Sequence, residues 1–442
     1  MVAEDEIERL FEHDQALTQR QNQKISDGTA NTQVAQRFKE LLQKAVSAGV
    51  SDVHIEIYSD KVEYWQRVDG RRLPLSGTQP NRADGLAICS YLFNVRGTMT
   101  DSGFVETKVN NCRLELPLMS GGQLQITEWR ASYCPASSGG ALVLRWTNQA
   151  KTVPTWNELG LDAEHQKKLR RFLASPSGVM IITGKTGSGK STTIAASICQ
   201  IDKSRNVRTI ENPVEIEVGV IQSNAATPEE FAEISKTLLR HDVDVEIHGE
   251  VRTGDAAMEL CRKGETGQLV MTTLHTSSAI GIAHTLAAQF NVPAAVVAAP
   301  NLMKIWLYQT LVRKLCPHCH ISTDEAATQY ADKEAFEDYE QAIEALKASG
   351  KPTDEVRWRN LGGCEHCHQG EKGRIVVLEL LELNDIDRDF IIRGDYLNWQ
   401  RSLRERGFET VREHALRRVL AGEIDILSAA TKVDGILEVP VG

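Results

Sequence analysis

Two clusters of residue types in this chain have spacings that imply chemistry. The first is Gly184-Lys185-Thr186-Gly187-Ser188-Gly189-Lys190-Ser191, a complete G-x-x-x-x-G-K-S loop. Gly184, Gly187 and Gly189 lack a β-carbon, so the backbone there can curl its N–H groups around phosphate oxygens and direct them at the positive end of a following helix. Lys190 would neutralise the β- and γ-phosphates, and the Ser191 hydroxyl would hold Mg²⁺. Thr186, Ser188 and Thr192 complete the phosphate-binding set. The second cluster is a pair of knuckles, Cys316-Pro317-His318-Cys319 and Cys364-Glu365-His366-Cys367. Two thiolates from each make a tetrahedral S₄ set, the donor chemistry of a closed structural Zn²⁺ site. The neighbouring His318, His320, His366 and His368 rank behind the thiolates, as supporting or surface groups.

The loop has the flanks it needs. Gly178 to Thr183 is a short apolar run expected to be a buried strand, and Thr192 to Ile201 carries Ile194, Ala195, Ile198 and Ile201 at helical spacing. Strand, glycine turn and helix thus follow in the order a nucleoside triphosphate site requires. From residue 161 onward strand and helix alternate, which predicts a parallel α/β sheet.

Upstream, residues 1–32 read as a polar N-terminal extension. Val34, Phe38, Leu41, Leu42, Ala45 and Val46 define one face of a helix from Gln33. Alternating segments at Val53–Ile57, Val62–Trp65, Asn111–Met119, Leu124–Trp129 and Ala141–Trp146, with a helix near Arg82–Asn94, make a small α+β domain over 33–146. Residues 147–160 read as a linker and 161–442 as the nucleotide-binding domain. That domain contains a tetracysteine segment at 313–374, with a charged helical stretch from Asp324 to Ala348, and a helical region at 385–442.

Composition narrows the function class. The chain has 442 residues, 41% of them hydrophobic, and a formal net charge of −10. That charge weighs against a broad basic face tracking a nucleic-acid backbone, and no direct nucleic-acid contact is expected. No run approaches the ~20 apolar residues of a membrane span, and the acidic N-terminus is unlike a secretory signal, so a cytoplasmic location is expected. Of the nine cysteines, the five outside the knuckles (Cys89, Cys112, Cys134, Cys199 and Cys261) read as small core residues.

With these motifs in view the chain resembles the motor ATPases of type IV pili and type II secretion, over roughly residues 40–435. The resemblance implies a RecA-like P-loop core behind a PAS-like domain that opens on Ser51-Asp52-Val53-His54-Ile55-Glu56. Thr209-Ile210-Glu211-Asn212-Pro213-Val214-Glu215 is similar to the family's aspartate box, with Asn212 in place of an aspartate and Glu211 expected to hold the metal or its waters. Leu239 to Arg252 resembles a Walker B segment whose Gly249-Glu250 supplies the carboxylate that polarises the attacking water. Glu246 and His248 stand where relatives are apolar and are expected to face an interface or the nucleotide pocket; Thr253 replaces an aspartate. Thr266 to Thr276 is similar to the histidine box, in which Gln268 replaces a histidine and His275 is retained to sense the γ-phosphate. Arg130 and Arg145 fall where relatives carry arginines that reach the nucleotide.

The implied protein is a Mg²⁺-dependent ATP hydrolase with a bound Zn²⁺. It would assemble as a homo-hexamer on an inner-membrane platform protein, cytoplasmic and peripheral to that membrane, and drive pilus assembly or secretion. Pilus retraction, conjugation, a nucleic-acid translocase of related fold and a low-turnover nucleotide-binding scaffold stand as alternatives.

Overall fold

The structure is a computed structural model that describes residues 28–75, 81–98, 103–147, 152–331 and 335–438. The N-terminal extension read at 1–32 lies outside the described residues as far as residue 27. The chain divides into two compact units, 1–150 and 151–442.

The first unit is a six-stranded antiparallel sheet in the order β3-β2-β1-β6-β5-β4. Its strands are β1 (Asp52–Ile57), β2 (Val62–Val68), β3 (Arg71–Pro74), β4 (Asn110–Ser120), β5 (Gln123–Ala136) and β6 (Gly139–Trp146). Burial alternates strictly along Val62–Val68, so one face only is covered, with Gln66 on the buried face and Trp65 on the outer one. Helices Gly28–Ser47 and Arg82–Tyr91 contribute Phe38, Leu42 and Ile88 to a core shared with Ile55, Trp129 and Tyr133. Strand β5 runs to Ala136, beyond the expected end at Trp129, because its alternation continues through Ala131 and Tyr133.

The second unit carries a seven-stranded sheet ordered β13-β12-β7-β11-β10-β8-β9. Its strands are β7 (Gly178–Thr183), β8 (Val207–Glu211), β9 (Ile221–Asn224), β10 (Val245–His248), β11 (Leu269–Leu274), β12 (Met303–Leu315) and β13 (Glu371–Glu382). Every neighbouring pair is parallel except β12 with β13. β7 and β11 are buried at all six positions, as central strands covered on both faces must be.

Several boundaries differ from expectation. The helix after the glycine loop spans Lys190–Ile198, not 192–201: Gly189 caps it, so the lysine and serine form its first turn. Inside the stretch read as a linker, Trp156–Leu159 is a helical turn closed by a Thr155/Glu158 capping box, with both end residues in the second unit's core. The charged stretch at 324–348 holds two helices, Thr323–Tyr330 and Phe336–Ala348, and the C-terminal region holds four, from Asp385 to Ala430. Cys89, Cys112 and Cys261 are buried as expected, but Cys134 and Cys199 are exposed. Cys134 sits on the outward parity of β5, and Cys199 follows the last turn of its helix. Among the described residues, no helix is long and apolar enough to cross a membrane.

Candidate functional site

The carboxyl ends of β7, β8, β10 and β11 bring the phosphate loop, Glu211, Glu250 and His275 to one edge of the parallel sheet, the end at which open α/β sheets bind ligands. In the loop, Gly184, Gly187 and Gly189 all have positive φ, the last two at 77° and 86°. A β-carbon at Gly184 would come within 2.3 Å of the Gln309 carbonyl oxygen, so no side chain fits there. Lys190 is nearly buried and its Nζ donates to the Gly184 carbonyl at 2.8 Å. Burial lowers its pKa, an effect opposed by the charges of Glu250 and Glu215. The Ser188 hydroxyl oxygen, enclosed in the same loop, has no hydrogen-bond partner among the described residues.

Glu250 stands between His275 and Arg252. Its Oε1 is 3.2 Å from His275 Nε2 and its Oε2 accepts from Arg252 at 2.7 Å. Gly249 permits this placement, since its amide donates to the Ile210 carbonyl at 2.8 Å and a β-carbon would press on the Glu211 backbone. His275 follows β11, whose end is tied to β7 through Thr183: its hydroxyl donates to the Leu274 carbonyl and accepts the Thr276 amide at 2.7 Å. Glu211 is held by hydrogen bonds from Thr209 (2.6 Å) and Gln222 (2.9 Å), leaving Oε2 uncommitted by either. A shallow cleft opens beside Ser191, lined also by Ile194, Glu211, Gln222, Ile247 and Thr273. Thr253, the replaced aspartate, caps the helix Gly254–Glu265 through its hydroxyl.

Three of these supporting residues were not legible as functional. Gln309 on β12 is fully buried; its amide donates to the Ser188 carbonyl at 2.8 Å and its Oε1 accepts from Thr193 at 2.9 Å, bracing both sides of the phosphate loop. Gln222 and Thr183 act on Glu211 and on the His275 loop. Gln309 and Gln222 reach the site only through tertiary packing, whereas Thr183 stands directly before the loop and was read only as the last residue of its strand.

One expectation is corrected. Glu246 and His248 face neither an interface nor the nucleotide cleft. Both are 0% exposed, on the opposite side of β10 from Ile247. Glu246 Oε1 accepts from Lys263 and lies 2.7 Å from His248 Nε2, and His248 packs edge-on against Phe231. Burial alone would raise the Glu246 pKa, yet the hydrogen bonds and charges of His248 and Lys263 hold it below the ordinary range. The charges are affordable in a buried strand because the helix Gly254–Glu265 supplies Lys263 as a partner.

The four knuckle cysteines converge, with Sγ separations of 3.8 Å (Cys316–Cys364), 3.6 Å (Cys319–Cys367) and 3.6 Å (Cys364–Cys367). A tetrahedron with Zn–S bonds of ~2.3 Å has edges of ~3.8 Å, whereas a disulfide needs ~2.05 Å, so the donor set fits a metal. The described residues show no disulfide at these positions. Arg130 and Arg145 lie in the first unit, opposite each other on β5 and β6.

Residues 27–431 match the family model described as "Type II/IV secretion system protein". The "Type II secretion system ATPase E" of Vibrio cholerae serotype O1 is 31% identical over 378 residues, covering 84% of this chain and 69% of that protein. The "Type IV pilus assembly ATPase TfpB" of Acinetobacter baylyi is 31% identical over 391 residues, covering 86% and 62%. Among solved structures, the Legionella pneumophila ATPase DotB superposes with a TM-score of 0.63 at 18% identity, over 89% of this chain and 94% of that one.

Proposed function

The chain belongs to the type II/IV secretion system protein family, and from that premise we propose a ring-shaped, Mg²⁺-dependent ATP-driven motor for type II secretion or type IV pilus assembly. The observation that carries the catalytic part is the convergence of Lys190, Glu211, Glu250 and His275 on one edge of the parallel sheet. In this reading the loop 184–192 binds the triphosphate, Lys190 bears on its outer phosphates, and Ser191 with Glu211 holds Mg²⁺. The metal would supply charge neutralisation at the transferring phosphoryl group. Glu250 orients and polarises the attacking water, and His275 reports the state of the γ-phosphate to the β11 loop.

The remaining roles are argued from residue chemistry. Arg130 and Arg145 offer positive charge to a bound nucleotide, in a first unit whose antiparallel α+β build is consistent with a PAS-like domain. Cys316, Cys319, Cys364 and Cys367 hold a structural Zn²⁺. A homo-hexamer working against a membrane-embedded platform protein, cytoplasmic and peripheral to the inner membrane, fits the family and the lack of a described spanning helix. Steady-state ATPase activity measured with and without single-stranded DNA tests the proposal. Mg²⁺-dependent turnover indifferent to DNA is expected; DNA-stimulated turnover would favour a translocase, and ATP binding without turnover a scaffold.

A further inference from the structure

The loop that carries His275 runs from the end of β11 to the short helix Gly281–His284 and is fastened at two points, both within the second unit. Just past His275, the Thr276 amide donates to the Thr183 hydroxyl at 2.7 Å. Further on, the Ala279 amide donates to Glu379 Oε1 at 2.6 Å. Thr183, Tyr308 and Glu379 are register partners across β7, β12 and β13, so their side chains share one face of the sheet and the loop crosses that face from β7 to β13. Between the two fastenings the Thr276 hydroxyl closes the turn by donating to the Ser278 carbonyl at 2.7 Å.

Packing alone asks for no charge at position 379. Val377 and Leu381, its neighbours on the same face of β13, are buried and apolar. Glu379 is 5% exposed, and burial raises its pKa against the pull of the two amides it accepts from, while the charge of Glu413 acts in the same direction as burial. A buried carboxylate costs stability unless its hydrogen bonds replace water. Here backbone does so on both oxygens: Oε2 accepts at 3.1 Å from the amide of Val411, the first residue of the helix Val411–Leu420, where the helix dipole also favours negative charge. One carboxylate thus joins the His275 loop to the C-terminal helical region.

We infer that Glu379 is a positioning residue for ATP hydrolysis. His275 Nε2 lies 3.2 Å from Glu250 Oε1, yet its side chain is 43% exposed, so the contact keeps its geometry only if the loop beneath it does. Thr183 holds the near end of that loop and Glu379 the far end, through a charge-assisted bond roughly twice as strong as a neutral one. Displacing a positioned group by about 1 Å can cost on the order of 10² in rate. The inference rests on the reading that His275 and Glu250 act together beside the phosphate loop, and the experiment separates the two.

The full-length protein is compared with E379Q, H275A and the double variant at matched oligomeric state, with kcat and KM for ATP measured separately. Glu379→Gln keeps the volume of the side chain but offers a single acceptor oxygen. Its amide nitrogen must face one of the two N–H groups, so one bond is lost and the other loses its charge. In the wild-type background E379Q should lower kcat about tenfold and leave KM near its original value, because the phosphate loop is untouched; in the H275A background it should add nothing. Hydrogen exchange on the unmodified protein needs no variant to fold: the Ala279 amide should exchange at least about 10²-fold more slowly than an open-loop amide, and exchange at the open-loop rate would overturn the proposal. An equal loss from E379Q in both backgrounds would mean that Glu379 merely supports the fold, and would overturn it too. E379Q at the wild-type rate beside a slow H275A would overturn the positioning role and leave that of His275 standing. H275A at the wild-type rate would remove both.

Discussion

Glu250 Oε1 and His275 Nε2 lie 3.2 Å apart, joining the carboxyl ends of β10 and β11 at the point where the phosphate loop's lysine is also felt. The carboxylate is one-quarter exposed and the imidazole rather more, so the pair is open to water while being fixed by the strands beneath it. Glu250→Gln preserves the shape of this contact and removes the charge that orients water. Hydrolysis should fall by about 10² or more while nucleotide binding persists. Equilibrium binding of a labelled ATP analogue alongside single-turnover rates checks both halves, and a wild-type rate would dismiss Glu250 as the catalytic carboxylate. Lys190→Ala, by contrast, should lose binding and turnover together.

Lys263 neutralises a carboxylate that has no access to solvent. Lys263→Met keeps the stem's volume but leaves Glu246 buried beside His248 alone, and removal of one partner from such a pair costs about 3–5 kcal/mol. Chemical denaturation of the second unit should show a loss of that order. The double change K263M/E246Q should recover part of it, since the uncompensated charge is then gone; no recovery would assign the loss to packing instead.

His414 is fully buried, with Nε2 accepting from Arg418 Nε at 3.1 Å. Burial, reinforced by the Arg418 charge, pushes its pKa down to about 4 from an ordinary 6.5. Between those values the unfolded chain takes up a proton that the folded chain refuses. This contribution is therefore intact above about pH 6.5 and drains away as the pH falls toward 4. The stability gap between wild type and His414→Gln should narrow by roughly 3 kcal/mol between pH 7 and pH 4. Denaturation curves at several pH values measure it, and a constant gap would contradict the assignment.

The cysteine knuckles should bind one zinc per chain. Cys364→Ser should release it and loosen the segment 313–374, while the parallel core, whose apolar cluster is separate, stays folded. Elemental analysis paired with hydrogen exchange reads both effects. Protein purified without chelators that contains no zinc would end this assignment.

What was legible in the sequence was chemistry encoded within a few residues of itself. The loop 184–191 and the two Cys-x-x-Cys knuckles are local patterns; in the structure the loop joins β7 to the next helix and the four thiols converge. The start of the following helix was misjudged because Lys190 and Ser191 were counted as loop, although they serve the phosphate site from its first turn. Partnerships across the fold were hidden. Nothing within β10 announces Lys263, seventeen positions beyond Glu246, and Gln309 braces Ser188 from 121 residues away. Cys134 was recoverable: it shares the outward parity of Arg130 and Ser132, whereas Ala131 and Tyr133 point inward.

The brace made by Gln309 also has a mechanical meaning. Gln309 sits mid-way along β12, which runs unbroken in sequence from Met303 to Leu315 and delivers the chain directly to Cys316. Cys316 stands only seven positions beyond the residue that grips the phosphate loop, a span of about 23 Å at the rise of an extended strand. Over that span the strand is paired with β13, and up to Tyr308 it is paired with β7 as well. Cradle and knuckle are thus mounted on one stiff rod, and a load applied at either end arrives at the other with little slack.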